Sequence, residues 1–218
     1  MKTLAVIIAV DFPYFEEIAL KAIRKYYNYY GIPLEVLSKN HPDVDKHKTS
    51  PVWNKALLFE MYDADFIIAQ DLDLLPCNLK YNIMDFVNPN YFNMAVDSTR
   101  IGVHYLNYEI SPAKTQQPHF RYNIGLKCYP KKYAGLTREY FEHGVLDPYK
   151  WGTFDQYYIN QLIGDKQIFV NELPQIFNTF YTPSIDYNKT AFCHYTNYMT
   201  TLEKKECIEK FHPKEMLI

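Results

Sequence analysis

The chain has 218 residues, with 23 basic against 25 acidic side chains, so it lacks the basic excess by which duplex nucleic acid is usually held. Its 48% hydrophobic content supports one domain with a sizeable core, or a compact domain with a small lobe. A phosphate-bearing ligand must therefore be held locally, by a metal or a few placed cations. The cysteines Cys77, Cys128, Cys193 and Cys207 form no Cys-x-x-Cys pair, which argues against a zinc ribbon or a thioredoxin-like motif and reads as reduced thiols.

In chain order, the apolar run Leu4 to Val10 is too short to span a bilayer, carries no small-residue cleavage site, and is rich in β-branched residues. It predicts a buried parallel strand. No other stretch resembles a membrane segment, so a soluble, cytoplasmic chain is expected (the host cytoplasm, for a viral one). A helix is expected from about Tyr14 to Tyr30, stopped by Gly31, and a second strand over Leu34 to Leu37 completes a β-α-β opening with a right-handed crossover. Residues 39–50 are polar and predict a loop. Ser50-Pro51 then reads as the cap and first turn of a helix with Trp53, Leu57, Leu58 and Met61 on one face.

A buried strand over Asp65 to Ala69 runs into Gln70-Asp71-Leu72-Asp73. Further strands are expected over Tyr91 to Val96, Arg121 to Cys128 and Gln167 to Val170. Helices are expected over Leu136 to His143 and Phe154 to Ile163. Arg100 to His119 shows no period and predicts a substrate-facing loop. Leu202 to Phe211 reads as a short charged helix forming a solvated cap. With no repeat or linker, the chain is expected to be a single α/β domain with a mainly parallel central sheet flanked by helices.

Asp71 and Asp73 carry the strongest chemical signal. They follow a buried strand, at the end where open α/β sheets bind ligands, and residues two apart on an extended segment share a side. Two neighbouring carboxylates repel, and a divalent cation removes that cost while bridging to a diphosphate. His194, in Cys193-His194-Tyr195, would add an imidazole and favour Mn2+, with Mg2+ as the alternative. The other histidines, His41, His47, His104, His119, His143 and His212, lie in polar stretches and receive no role. Asp155 and Gln156 follow Gly152-Thr153-Phe154 at a helix start, where an acid and an amide can cap the helix and also bind sugar hydroxyls.

In order, the chain shows Asp71-x-Asp73, Asn123-x-Gly125, Asp155-Gln156 with Asn160, Leu173-Pro174 with Phe177-Asn178, and His194. This series resembles the retaining GT-A-fold glycosyltransferases of the glycogenin and galactosyltransferase type, including glycosyltransferase domains of large chlorella viruses, over nearly the whole chain. The resemblance implies a Rossmann-like fold with a nucleotide-binding half over 1–98 and a donor-sugar and acceptor half over 99–218. It implies transfer of a hexose from a UDP-sugar to a glycan or glycoprotein acceptor, with retention. Asp71, Asp73 and His194 would bind the metal, Asp71 also touching the ribose. Val10, Asp11 and Tyr14 would hold uracil and ribose, Lys55 would contact the donor, Asn123 and Asp155 would orient the donor sugar, and Gln156 would lie near its anomeric carbon. Relatives often follow the metal histidine with Gly and a Lys-Pro pair whose lysine grips the diphosphate. Here Tyr195-Thr196-Asn197-Tyr198-Met199 lacks that lysine, so Lys204 or Lys205 substitutes, or the metal alone neutralises the phosphates.

Two other functions share this layout. A sugar-phosphate nucleotidyltransferase would carry a glycine-rich basic loop after the first strand, where this chain has Asp11-Phe12-Pro13-Tyr14. A non-catalytic carbohydrate-binding module on the same scaffold would not need the acid pair.

Overall fold

The computed structural model describes residues 1–10, 16–97, 122–146, 155–195 and 199–218. Expectations for Asp11, Tyr14, residues 100–119 and Thr153 fall outside these residues. The β-branched run forms β1 (Thr3–Ile8), buried along its last four positions. Helix α1 (Glu16–Tyr29) follows, and Gly31 ends it at φ +66°, a conformation that glycine adopts without steric cost. Strand β2 (Leu34–Leu37) then pairs parallel with β1.

Residues 39–50 are not all loop. They contain one short helix, α2 (Pro42–Lys46), where His41 accepts a hydrogen bond from the Asp43 amide and Pro42 takes the first position. The helix expected from Ser50 is a 3₁₀ segment over Pro51–Ala56 followed by α3 (Leu58–Met61), and Ser50 makes no side-chain cap. Tertiary structure overrides the helical pattern here. The Lys55 carbonyl accepts from the Tyr129 hydroxyl at 2.6 Å and Lys127 Nζ at 3.2 Å rather than from a helical amide.

The remaining elements are β3 (Phe66–Asp71), β4 (Leu74–Pro76), β5 (Phe92–Val96), β6 (Tyr122–Pro130), α4 (Ala134–Leu146), α5 (Asp155–Asp165), β7 (Val170–Leu173), β8 (Thr179–Phe180), β9 (Phe192–His194), α6 (Thr201–Phe211) and α7 (Lys214–Leu217). The strand expected over 167–170 starts only at Val170, because Gln167 turns at φ +52° and the Ile168 amide closes back onto the Ile163 carbonyl. The main sheet runs β2-β1-β3-β6-β5-β7, parallel except that β6 is antiparallel to both neighbours. A small second sheet, β4-β9-β8, was not legible in the sequence.

The pleat divides the core between the two faces of the main sheet. Ala5 and Ile7 pack with α1 and the C-terminal helices, while Val6 and Ile8 pack with Trp53, Tyr140, Phe141 and Ile159. All four cysteines are free. Among the described residues no helix is long and apolar enough to cross a membrane.

His212, expected in a polar stretch, is instead 1% exposed. Its Nε2 donates to the Pro76 carbonyl at 3.0 Å, so its Nδ1 accepts from the Tyr195 hydroxyl at 3.2 Å. The chain continues to the Tyr187 hydroxyl, tying α6 to the small sheet. Burial, with a smaller effect from Lys214, pushes the imidazole down to about 4. The unfolded chain then binds more protons between pH 4 and 6.5, so His212 contributes stability that is complete above 6.5 and lost as pH falls through 4. A shift of that size corresponds to roughly 3 kcal/mol. Urea unfolding from pH 7 down to 4 should show that loss, and His212→Gln should flatten the curve. Parallel curves for the two proteins would remove His212 as its origin.

Candidate active site

Strand β3 delivers Asp71 to the carboxyl edge of the main sheet, opposite Ile8 of β1, so the buried Val10 continues toward the same edge. The acid pair does not meet as alternate residues of one strand: Leu72 and Asp73 form a turn between β3 and β4, which belongs to the second sheet. Strand β4 pairs antiparallel with β9, with Leu74 opposite His194, and the Asp73 carbonyl accepts from the Tyr195 amide at 2.8 Å. The small sheet therefore brings His194 to the acid pair. Ligand atoms of Asp71, Asp73 and His194 lie within 4.8 Å of one another.

Contacts around His194 define what this cluster fits. The Asn178 amide oxygen lies 2.8 Å from His194 Nδ1, and an amide oxygen can only accept. His194 thus donates through Nδ1, and its neutral form turns the lone pair of Nε2 toward Asp73 Oδ1 at 3.4 Å. Two acceptors that face each other need a cation or a proton between them. Two carboxylates and an oriented neutral imidazole fit a divalent ion, with a donor set suited to Mn2+ more than to Mg2+. Phe180 stacks on the ring at 5.3 Å and 16°.

Asn123-x-Gly125 gains a physical reason. The Asn123 side chain accepts from the Gly125 amide at 2.8 Å, and a Cβ at Gly125 would lie 2.7 Å from His194 Cε1 and 2.9 Å from Asn123 Oδ1. Gly125→Ala should displace the imidazole and weaken Mn2+ binding about 10- to 100-fold, the scale of losses when a metal ligand is misoriented. Mn2+ titration checks this; unchanged affinity would contradict the packing.

Lys55 is almost fully buried and donates to Asp71 Oδ1 at 2.6 Å and the Ile124 carbonyl at 3.2 Å, with Asp155 Oδ2 at 3.7 Å. Burial works against its charge, but Asp71 and Asp155 outweigh that and raise it above the ordinary lysine value. Asp155 opens α5. Burial pushes its carboxyl up to about 6 against the pull of Lys55, with Asp71 adding to the rise. Its Oδ2 is buried and finds no hydrogen-bond donor among the described residues. Gln156 donates through Nε2 to Asp97 Oδ2 at 2.9 Å, which fixes the amide beside Asp155.

Asp71 and Asp73 titrate in opposite senses. Burial, with repulsion from Asp73, raises Asp71 despite Lys55. For Asp73 burial also acts upward, but a proton on the facing His194 nitrogen, where no metal takes that place, and the Lys204 ammonium outweigh it and hold the carboxyl well below the usual range. Lys204 Nζ lies 2.6 Å from Asp73 Oδ2. Helix α6 is thus not only a solvated cap, since its buried Lys204 reaches the acid pair. Lys205 points outward toward Glu209 at 3.9 Å.

Asp71, Asp73, His194, Lys55 and Asp155 converge, with Gln156 beside Asp155 and Asn123 behind Gly125. Asp11 and Tyr14 lie outside the described residues. Sequence reasoning left three neighbours of the cluster without these contacts: Asn178, whose Phe177-Asn178 motif was the one available signal, Asp97 as the holder of Gln156, and Lys127, which is fully buried beside Lys55. Lys204, weighed as a substitute for the missing diphosphate lysine, lies on Asp73. Burial pushes Lys127 down to about 7.

This sheet order, with an acid pair at the end of β3 and a small sheet returning a histidine to it, is the GT-A fold of glycosyltransferases. Among solved structures, the chain is similar to a glycosyltransferase involved in glycosylation of the major capsid of PBCV-1, at 12% identity and TM-score 0.69, over 96% of this chain and 99% of that one. It is also similar to the galactosyltransferase LgtC, solved with donor and acceptor sugar analogues, at 14% identity and TM-score 0.53, over 90% of this chain and 87% of that one. A third likeness is to the bifunctional glycosyltransferase WbbM, at 13% identity and TM-score 0.57, where the match covers 90% of this chain and 46% of that one. No protein-family model and no curated protein sequence matches the chain.

Proposed function

We propose that this chain is a metal-dependent glycosyltransferase that moves a hexose from a UDP-sugar to a glycan or glycoprotein acceptor with retention. The observation that carries this reading is the cluster of Asp71, Asp73 and an oriented His194 at the ligand-binding edge of a GT-A sheet. When bound there, Mn2+ or Mg2+ would supply Lewis-acid stabilisation of the departing diphosphate. The similar solved structures are themselves glycosyltransferases, which favours this reading over a nucleotidyltransferase or a binding module.

The chain's own residues have separate tasks in this mechanism. Lys55 holds Asp71 and Asp155 at fixed separation. Asp155 Oδ2, which receives no hydrogen bond among the described residues, accepts a hydroxyl of the donor sugar, and Asn123 supports that pocket from β6. Gln156, anchored by Asp97, places its amide at the anomeric carbon, where it stabilises positive charge developing on the ring. With retention, an oxygen of the leaving diphosphate takes the acceptor proton, so no protein base is required. Val10, with Asp11 and Tyr14, holds the uridine.

Incubating the protein with a panel of UDP-sugars and Mn2+ tests the reading. UDP release that depends on Mn2+, with a product of the donor's anomeric configuration, is expected. Release of pyrophosphate from UTP and a sugar phosphate would instead identify a nucleotidyltransferase, and no binding or turnover of any donor would leave the enzyme reading without support.

A further inference from the structure

Both carboxylates of the cluster already carry an ammonium. Lys55 Nζ is 2.6 Å from Asp71 Oδ1, and Lys204 Nζ is 2.6 Å from Asp73 Oδ2. Both lysines are buried, at 1% and 5% exposure, so water screens these pairs poorly. With Asp155, which Lys55 also approaches at 3.7 Å, three carboxylates face two ammonium groups, so most of the negative charge is offset before any ion arrives. A divalent cation entering alone leaves an excess of positive charge beside the two ammonium groups. A nucleotide diphosphate brings negative charge that offsets this excess.

The two lysines are not equivalent. Lys55 lies between Asp71 and Asp155 and keeps a carboxylate partner if Asp71 turns to an ion. Lys204 has only Asp73 among the described residues. Its backbone is held in the first turn of α6 by a capping box between Thr200 and Glu203, so its ammonium leaves Asp73 only by turning its own side chain. Whatever draws Asp73 toward a metal leaves this buried cation in need of a new anion.

We propose that Lys204 is a resident cation that suppresses binding of the metal alone and makes metal and nucleotide diphosphate bind as a mutually dependent pair. The proposal rests on the metal-dependent reading above. It concerns the order and linkage of binding rather than the chemistry of transfer. By linkage, whatever factor the nucleotide contributes to metal affinity, the metal contributes equally to nucleotide affinity.

The test measures Mn2+ binding from the electron paramagnetic resonance signal of the free ion, with and without saturating UDP. Correction for Mn2+ bound by UDP in solution is required. Lys204→Gln, which keeps a hydrogen-bond donor without charge, should bind Mn2+ alone at least about tenfold more tightly than wild type, and the enhancement by UDP should shrink by a similar factor. Lys204→Met should behave alike, while Lys204→Arg and the surface variant Lys205→Met should stay within about twofold of wild type. If Lys204→Met does not fold, the comparison of Gln with Arg at the same position still decides the matter.

Equal or weaker affinity for Mn2+ alone in Lys204→Gln overturns the proposal while leaving the glycosyltransferase reading intact. Failure of the wild type to bind Mn2+ in either condition overturns both.

Discussion

Asp73→Asn is expected to reduce sugar transfer by about a thousandfold while the protein stays folded, the scale seen when a group stabilising the transition state is removed. Three contacts meet at Asp73. One carboxylate oxygen faces His194 at 3.4 Å, the other accepts from Lys204 at 2.6 Å, and the carbonyl holds the Tyr195 amide at 2.8 Å. Asparagine keeps the main-chain bond and the side-chain shape, so the β4–β9 register survives. It removes the charge that both the cation site and Lys204 require. Asp73→Ala should abolish transfer as well, with an added loss of stability because Lys204 remains buried without a partner. The measurement is the rate of transfer and of donor hydrolysis at saturating Mn2+, with circular dichroism to confirm the fold. Activity within about tenfold of wild type in Asp73→Asn would exclude Asp73 from the transition-state machinery.

Gly144→Ala should be the most destabilising single-methyl addition in α4. A Cβ there would lie 2.0 Å from Trp53 Cη2, and at 2.6 and 2.8 Å from two further indole carbons. Trp53 has nowhere to go. It is fully buried and packed against Tyr140, Phe141 and Tyr158 at centroid distances of 5.5 to 6.0 Å. Overpacking of this kind costs about 1–3 kcal/mol and occasionally more, and the better helix propensity of alanine returns only about 1. A net loss of about 1–2 kcal/mol should lower Tm by about 2–8 °C in a chain of this length. Gly135→Ala is the control: it lies in the first turn of the same helix, where a Cβ meets nothing within 4 Å, and should be neutral or mildly stabilising. Equal melting temperatures for the two variants would disprove the tight fit. Because Trp53 and Lys55 share one 3₁₀ segment, Gly144→Ala should also loosen the grip of Lys55 on Asp71.

Local chemistry in the sequence determined much of this protein. The β-branched run made β1, helical periodicity and Gly31 made α1 and its end, and the apolar lead into Asp71 made β3 and placed an acid at the sheet edge. The ordered motifs from Asp71 to His194 pointed to the GT-A fold, which the sheet order bears out. Other features depended on partners distant in sequence, and no local pattern encodes them. Strands β4, β8 and β9 are two or three residues long, too short for periodicity to register, yet their pairing carries His194 to Asp73. The segment after Ser50 became 3₁₀ because Tyr129 and Lys127 took the Lys55 carbonyl. His212 read as part of a polar stretch and Lys204 as part of a solvated cap or a grip on the diphosphate, and burial against Tyr195 and Asp73 made one a neutral hydrogen-bond link and the other a counter-charge. The sequence thus determined which groups this protein carries and where its sheet presents them. Tertiary packing alone decided which of them are buried together, and burial sets the strength of charge pairs by excluding the water that would screen them.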